Sequence, residues 1–558
     1  MKIRFCGATK GVTGSCHLFE SGEHKVLLDC GQFQGSKEQD EMNFEDFPFD
    51  PTSIECVILS HAHIDHCGRL PLLTKRGFSG KIYCTDATAD LLAIMLKDSA
   101  YIQEKEAEWQ NRKNQRAGRA LVEPLYTIQD AEDALKLIQP VLYDQLIEIN
   151  PEMKVVFNDA GHILGSAIIE IWLKEGEKES KIVFSGDIGM TQRPILRDPT
   201  FIKKADYVIM ESTYGDRNHP IKGSGAPELI DIVLKTTARG GNVVIPSFAV
   251  GRTQELIYEF NKYYEAHSEV QAALDKINVY VDSPMATSAT EVFRKNAQVF
   301  DDEMREMILK GDNPLDFKNL IFTRSSDESQ QLNFNTSPKI IISASGMCEA
   351  GRIRHHLKHN LWDKKNSIVF VGYQAQGTLG RALIEGAKTV TLFGEEISVN
   401  AELYNLEGFS GHADQNGLFT WISGFENKPK KVFLVHGEES AKQTLAGIIN
   451  EKLGFDTEVI MDNSEYELDM NTDSVVRSAV YKAEADRDKA EEVKGIRTKI
   501  SEVHHELEHI LYNANLALES DADKEKITEI NNILQELGKA TINLGFAISK
   551  SSEEEKNQ

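Results

Sequence analysis

Short apolar runs of strand length recur along most of the chain, each ending in a polar or glycine turn. Residues 26–28, 56–59, 154–157, 167–172, 181–184, 207–210, 242–245, 278–281, 339–342, 367–371 and 431–435 are rich in β-branched side chains and predict one strand each. Between them lie stretches with helical spacing. Residues 87–115 and 128–138 are the clearest, separated by the breaker Pro124. This alternation predicts an α/β architecture with functional residues in the loops at strand C-termini.

Two breaks interrupt the rhythm. One is the turn-rich stretch 215–225 (GDRNHPIKGSG), directly after a strand. The other lies at about 475–490, where the strand pattern stops. From Ala483 the chain becomes charged and helical. Ile496, Ile500, Val503, Leu507, Ile510, Ala514 and Ala517 keep three–four spacing, and Ile527, Ile530, Leu534, Leu537, Leu544 and Ile548 repeat it after a break at 519–523. Two helices with one apolar stripe each predict an antiparallel hairpin. The stripes dock on their own subunit or pair with a partner such as a second copy, and residues 551–558 read as a disordered end.

Composition narrows the class. Of 558 residues, 41% are hydrophobic and 27% charged, and the formal net charge is −25. Such acidity argues against coating nucleic acid or anionic membrane by bulk charge, yet it leaves room for a local basic groove. The seven cysteines form no CxxC pair and read as reduced, packed thiols. No apolar run approaches the roughly 18 residues a membrane helix needs, and the start of the chain does not read as a signal peptide. The expectation is a soluble, cytoplasmic protein without membrane contact.

The densest chemistry is Ser60-His61-Ala62-His63-Ile64-Asp65-His66, just after the predicted strand 56–59. Three imidazoles and a carboxylate so close together are too polar for core packing, and they form a donor set suited to zinc. His61 with His63, and Asp65 with His66, can face two adjacent ions. His162 (AGHILGSA), Asp187 (FSGDIG) and His436 (FLVHGE) likewise follow apolar strands next to glycines. Each alone could be a turn residue. Together with the first loop they supply seven ligands, enough for two Zn2+ ions and a bridging carboxylate.

These motifs, with Leu27-Leu28-Asp29-Cys30-Gly31, match the metallo-β-lactamase fold. More narrowly, the chain resembles the β-CASP nucleases, the family of the endonuclease subunit of the mRNA cleavage and polyadenylation complex and its bacterial and archaeal relatives. The stretch 7–15 (GATKGVTGS), Asp282-Ser283-Pro284 and 372–377 (GYQAQG) carry that narrower likeness, which covers about 1–470. It implies an αββα metallo-β-lactamase sandwich with an inserted α/β β-CASP domain and a C-terminal helical hairpin. The corresponding domains are 1–214, 215–375, 376–480 and 481–558. The resemblance also implies roles. His61, His63 and His162 would hold one zinc, Asp65, His66 and His436 the other, and Asp187 would bridge them. Asp29 would orient a ligating histidine. Glu211 (MESTY) fits the family's acidic motif A, His412 (FSGHAD) its motif B and His436 its motif C, where DNA-acting members usually carry valine.

The implied activity is zinc-dependent hydrolysis of single-stranded RNA. Zinc lowers the pKa of water toward neutrality, and His412, oriented by Glu211, protonates the leaving 3′-oxygen. The products would carry 5′-phosphate and 3′-hydroxyl ends. The inserted segment adds phosphate-binding signals. Ser345 and Gly346 lie in a glycine loop leading from a strand into a helix with Arg352, Arg354, His355, His356, Lys358 and His359. Residues 372–381, ending at Arg381, and 246–252, ending at Gly251-Arg252, repeat that pattern. The window 339–390 holds eight Lys and Arg against three Asp and Glu. We read it as a cationic track for RNA phosphates, its three histidines lining the groove or the surface. A small-molecule ester or thioester hydrolase on the same fold, and an RNA-processing scaffold subunit, are the alternatives.

Overall fold

The computed structural model describes residues 1–219, 225–372, 374, 377–406, 411–469 and 474–480. The predicted hairpin 481–558 lies outside the described residues, as do Tyr373, Ala375, Gln376, Phe409 and Ser410 of the motifs.

Every predicted strand run forms a strand, displaced at its ends by a few residues at most. Two large sheets result. The first, of eight strands, runs Ser474–Val480, Ser464–Asp469, Lys2–Phe5, His17–Ser21, His24–Leu28, Cys56–Ile58, Lys81–Thr85, Ile138–Val141. The second, of seven, runs Thr457–Val459, Lys431–Leu434, Tyr207–Met210, Lys178–Phe184, Ala167–Glu175, Met153–Asp159, Ile147–Asn150. Alternation puts Ile3, Phe5, Leu28 and Ile58 of one sheet, and Phe157, Ile169, Ile182 and Phe433 of the other, into a shared core. The opposite faces are covered by helices. Leu91, Leu92 and Leu96 of the helix Asp86–Arg116 pack on the first sheet. Leu418 and Trp421 of Gln415–Ser423, with Leu445 and Ile449 of Glu439–Leu453, pack on the second. The expected αββα sandwich is thus present.

Strands Tyr207–Met210 and Lys431–Leu434 are parallel neighbours, Tyr207 opposite Lys431. The chain between them forms a separate sheet of six parallel strands. It runs Leu320–Phe322, Asn278–Val281, Lys339–Ser343, Val243–Pro246, Ser367–Phe370, Glu402–Asn405. Helices Ala226–Ala238 and Arg252–Ala266 cover one face, and Ile353–Asn360 and Leu379–Ile384 the other. This is the inserted α/β unit the sequence predicts, and its sheet extends past residue 375, since Glu402–Asn405 pairs with Ser367–Phe370.

One predicted helix is shorter than expected. It ends at Leu135 rather than 138, and Ile138–Val141 becomes the outermost strand of the first sheet. Pro140 explains this. It biases Gln139 away from helical backbone, and at a sheet edge its missing N–H is not needed.

Candidate metal centre

The strand Cys56–Ile58 delivers His61 to the sandwich rim, and His63 sits at the N-terminus of the one-turn helix Ile64–Cys67. That turn swings Asp65 and His66 to the other side of the loop. Gly31 permits the loop to close, because a Cβ there would lie 1.6 Å from the Asp65 carbonyl oxygen. His162, Asp187 and His436 follow the strands Met153–Asp159, Lys178–Phe184 and Lys431–Leu434. His436 holds a left-handed backbone, φ 48°.

All seven expected ligands converge. The ring nitrogens of His61 (Nε2) and His162 (Nε2) lie 3.1 and 3.2 Å from His63 Nδ1, and both Nε2 atoms are 3.6 Å from Asp187 Oδ2. On the other side His66 Nε2 is 3.1 Å from His436 Nε2, and Asp65 Oδ2 is 3.6 Å from His436. Asp187 stands between the groups, with Oδ2 3.4 Å from His66 Nε2 and Oδ1 3.5 Å from His436 Nδ1. Asp187, Glu211 and His412 form a third cluster sharing that carboxylate.

Protonation follows from this crowding. Burial, reinforced by neighbouring imidazoles, holds His61 and His162 well below the usual histidine range, and burial pushes His63 down to about 4. Each is therefore a neutral imidazole, with one ring nitrogen free to donate a lone pair. Burial also acts against His66, but the carboxylates of Asp187, Asp29 and Asp65 outweigh it and raise that imidazole. Burial would raise Asp187; the imidazoles of His436, His66 and His412 instead hold it well below the usual carboxylate range.

With their lone pairs turned inward, nitrogens this close to one another and to the Asp187 carboxylate are balanced by a cation held between them. Asp187 Oδ1 is buried and has no hydrogen-bond donor. Imidazole and carboxylate donors so arranged fit divalent metal ions, His61, His63 and His162 on one side, Asp65, His66 and His436 on the other.

Asp29 is fully buried and accepts from Ser15 Oγ (2.9 Å), Ser60 N (2.8 Å) and Ser60 Oγ (3.0 Å). Its Oδ2 is 2.7 Å from His66 Nδ1. A carboxylate can only accept here, so the His66 proton sits on Nδ1 and Nε2 is turned to the cluster. Glu211 Oε1 accepts from Ile188 N at 2.6 Å and lies 3.4 Å from His412 Nδ1. The His412 side chain is 22% exposed, whereas Glu211 and Asp187 are buried. Burial lowers the His412 pKa, but the carboxylates of Glu211 and Asp187 prevail and raise it to about 9.

Of the expected phosphate-binding residues, Arg252 reaches this cluster. A Cβ on Gly411 would lie 3.7 Å from Arg252 Nη2 and 3.5 Å from His162 Cε1, so the guanidinium borders the loop of His412. Arg252 and Arg193 share the carboxylate of Glu255. The others sit elsewhere in the inserted unit. Arg352 donates to Asp282 Oδ1 at 2.6 Å, Arg354 stacks over Phe393, and Arg381 donates to Glu385 at 2.7 Å. Ser345 Oγ accepts from Glu349 N, and Gly346 lies against Phe248. One expectation is corrected. His356 is neither groove-lining nor at the surface; it is fully buried, 2.5 Å from Asp282 Oδ2 and 3.0 Å from Asn333 Oδ1. The cationic window is also weaker than its sequence count, since Asp282 and Glu395, both outside it, pair with Arg352 and Lys358.

Sequence reasoning missed Lys442. Its fully buried ammonium donates to the carbonyls of Thr9 (2.5 Å) and Ile460 (2.6 Å). The adjacent Ala8 carbonyl accepts from His436 N at 2.9 Å, so Lys442 fastens the N-terminal loop that holds a ligand backbone. The available signal was a lysine on the same helix face as Ala441, Leu445 and Ile449. Burial lowers its pKa to about 8. Unfolded, it titrates near 10.4. Below about pH 8 both states carry the proton and folding bears the whole cost of burying charge. As pH rises from about 8 to 10.4 the unfolded chain holds more protons, and that cost disappears. Melts of wild-type and Lys442→Met protein at pH 7 and 10 are therefore expected to show the wild type gaining relative to the variant at pH 10. A pH-independent difference would contradict the assignment.

Family models match consecutive parts of the chain. A metallo-beta-lactamase superfamily domain covers 18–213, a Beta-Casp domain 253–383, and a Zn-dependent metallo-hydrolase RNA specificity domain 396–461. Ribonuclease TTHA0252 of Thermus thermophilus is 37% identical over 449 residues, spanning 80% of this chain and 96% of that protein. Transcription termination factor FttA of Methanocaldococcus jannaschii is 34% identical over 452 residues, 79% of this chain and 67% of its own. Its namesake in Methanosarcina mazei is 33% identical over 473 residues, 82% and 70%.

Proposed function

Because this chain belongs to the β-CASP metallo-β-lactamase family of RNA-processing nucleases, which are metal-dependent hydrolases, we propose that it cleaves single-stranded RNA with two zinc ions, leaving 5′-phosphate and 3′-hydroxyl ends. The observation that carries this reading is the placement of Asp187, one buried carboxylate facing both imidazole groups and His412. Zinc at the two groups supplies an activated water at neutral pH and countercharge for a phosphoryl oxygen.

The protein's own groups do the rest. Asp29 and Thr213, the latter 3.2 Å from His436 Nδ1, set the rotation of two ligand rings. His412 turns Nδ1 to Glu211, which leaves its other ring nitrogen to pass a proton to the departing 3′-oxygen. Arg252, beside that loop, supplies positive charge for the RNA backbone. Histidine rather than valine at position 436, the match to an RNA specificity domain, and a relative named as a ribonuclease support RNA as the substrate. Among the described residues no helix is long and apolar enough to cross a membrane. In this reading the protein works in the cytoplasm, as a homodimer.

The test is cleavage of 5′-labelled and internally labelled single-stranded RNA. We expect cleavage that a chelator abolishes and Zn2+ restores, with the two labels separating internal cuts from stepwise 5′ removal. Turnover of a thioester or β-lactam with no RNA cleavage would overturn the reading.

A further inference from the structure

Phe248 is a large apolar ring that the fold leaves 38% exposed. It lies in the turn between the strand Val243–Pro246 and the helix Arg252–Ala266. A Cβ built on Gly346 would fall 2.9 Å from ring atoms Cδ2 and Cε2, and one on Gly372 3.6 Å from Cε2. The ring thus lies against two glycine loops, which follow the strands Lys339–Ser343 and Ser367–Phe370. Those strands flank Val243–Pro246 on either side. Phe248 therefore sits at the C-terminal edge of three adjacent parallel strands, the edge at which open α/β sheets take their ligands.

The turn is fastened at both ends. Ser247 N donates to Ser343 O at 3.0 Å, and Thr253 Oγ1 donates to Phe248 O at 2.8 Å. Val250 is buried in one core cluster with Ile163 and Leu164, and a Cβ on Gly251 would meet Ile163 Cγ2 at 3.4 Å. The turn carrying the ring is thus held on one side to the inserted sheet and on the other to the loop of His162. It ends at Arg252, beside the His412 loop. Core packing is supplied by Val250. It does not call for a ring left partly in water, nor for glycine at 346, where any side chain would collide with that ring.

Resting on the ribonuclease reading, we propose that Phe248 is a stacking platform for one unpaired base of the RNA, with the adjoining phosphates led along the turn toward Arg252 and His412. Every base has a π-face, so such a platform captures RNA with little sequence preference, and it lies outside the arginines expected to hold phosphate.

The test uses the full chain in chelator, where RNA is bound but not cut. The probe is a set of short single-stranded RNAs with 2-aminopurine at successive positions. Wild type should quench one position strongly. Phe248→Ala should bind about tenfold more weakly and lose that quenching, whereas Phe248→Trp should keep both. With zinc restored, KM for RNA should rise about tenfold in Phe248→Ala at nearly constant kcat. Phe248→Leu, which keeps apolar bulk but has no π-face, should behave like the alanine variant. Wild-type behaviour of Phe248→Leu, unchanged binding in Phe248→Ala, or no quenching at any position in wild type would overturn the platform. Quenching by wild type with no cleavage after zinc is returned would overturn the ribonuclease reading and leave the platform standing.

Discussion

Asp187→Ala is expected to lose RNA cleavage by roughly three orders of magnitude or more and to bind less than the wild-type complement of zinc. Among the described residues Asp187 is the one carboxylate that faces both imidazole groups, at 3.6 Å from His61 and His162 and 3.4 Å from His66. Removing it deletes negative charge from a buried cluster of imidazoles, so any cation there loses countercharge while the desolvation cost remains. Asp187→Asn keeps the shape and removes the charge, so it separates packing from electrostatics. Single-turnover rates and metal content by mass spectrometry read the result. Cleavage retained in Asp187→Ala with a full metal complement would end the binuclear mechanism.

His412→Ala should also be severe, lowering kcat by about 10²–10⁴-fold, but with metal content unchanged. The reason is position. His412 touches Asp187 only at 3.9 Å, whereas its Nδ1 is nearer Glu211 and its side chain is the more open of the three. In the proposed mechanism a group so placed serves the leaving oxygen rather than the ions. An RNA whose scissile 3′-oxygen is replaced by sulfur needs no proton on departure, so it should restore most of the lost rate in His412→Ala and none in Asp187→Ala. Glu211→Gln should fall between, since Glu211 also holds Ile188 N and therefore the loop after Asp187. Equal loss on both substrates in His412→Ala would remove the proton-donor role.

The loop His61 to His66 was legible because its four donors fall within six residues, too polar a set for core packing. His162, Asp187 and His436 were legible one at a time, as polar residues after apolar strands. Asp29 and Glu211 could be named only through the family resemblance. Lys442 was hidden because a lysine on an amphipathic helix normally points to water; only the carbonyls of Thr9 and Ile460 reveal that it does not. His356 was misread for the converse reason. Its helix reads as a cationic track beside a groove, and what holds it in the interior is Asp282, some 70 residues earlier in the chain.

The sequence alone determined the periodic properties: which runs are strands, which faces are apolar, that the order is α/β, and which residue types gather after strands. Those follow from side-chain direction, which repeats every two or 3.6 residues and needs no partner to be read. The tertiary structure alone decided who meets whom. His436 lies 370 residues from His66 and 3.1 Å from it, because Lys431–Leu434 returns to pair with Tyr207–Met210 after the whole inserted sheet has been built. No local pattern encodes such a meeting, since it depends on which distant strand completes the second sheet's hydrogen bonds.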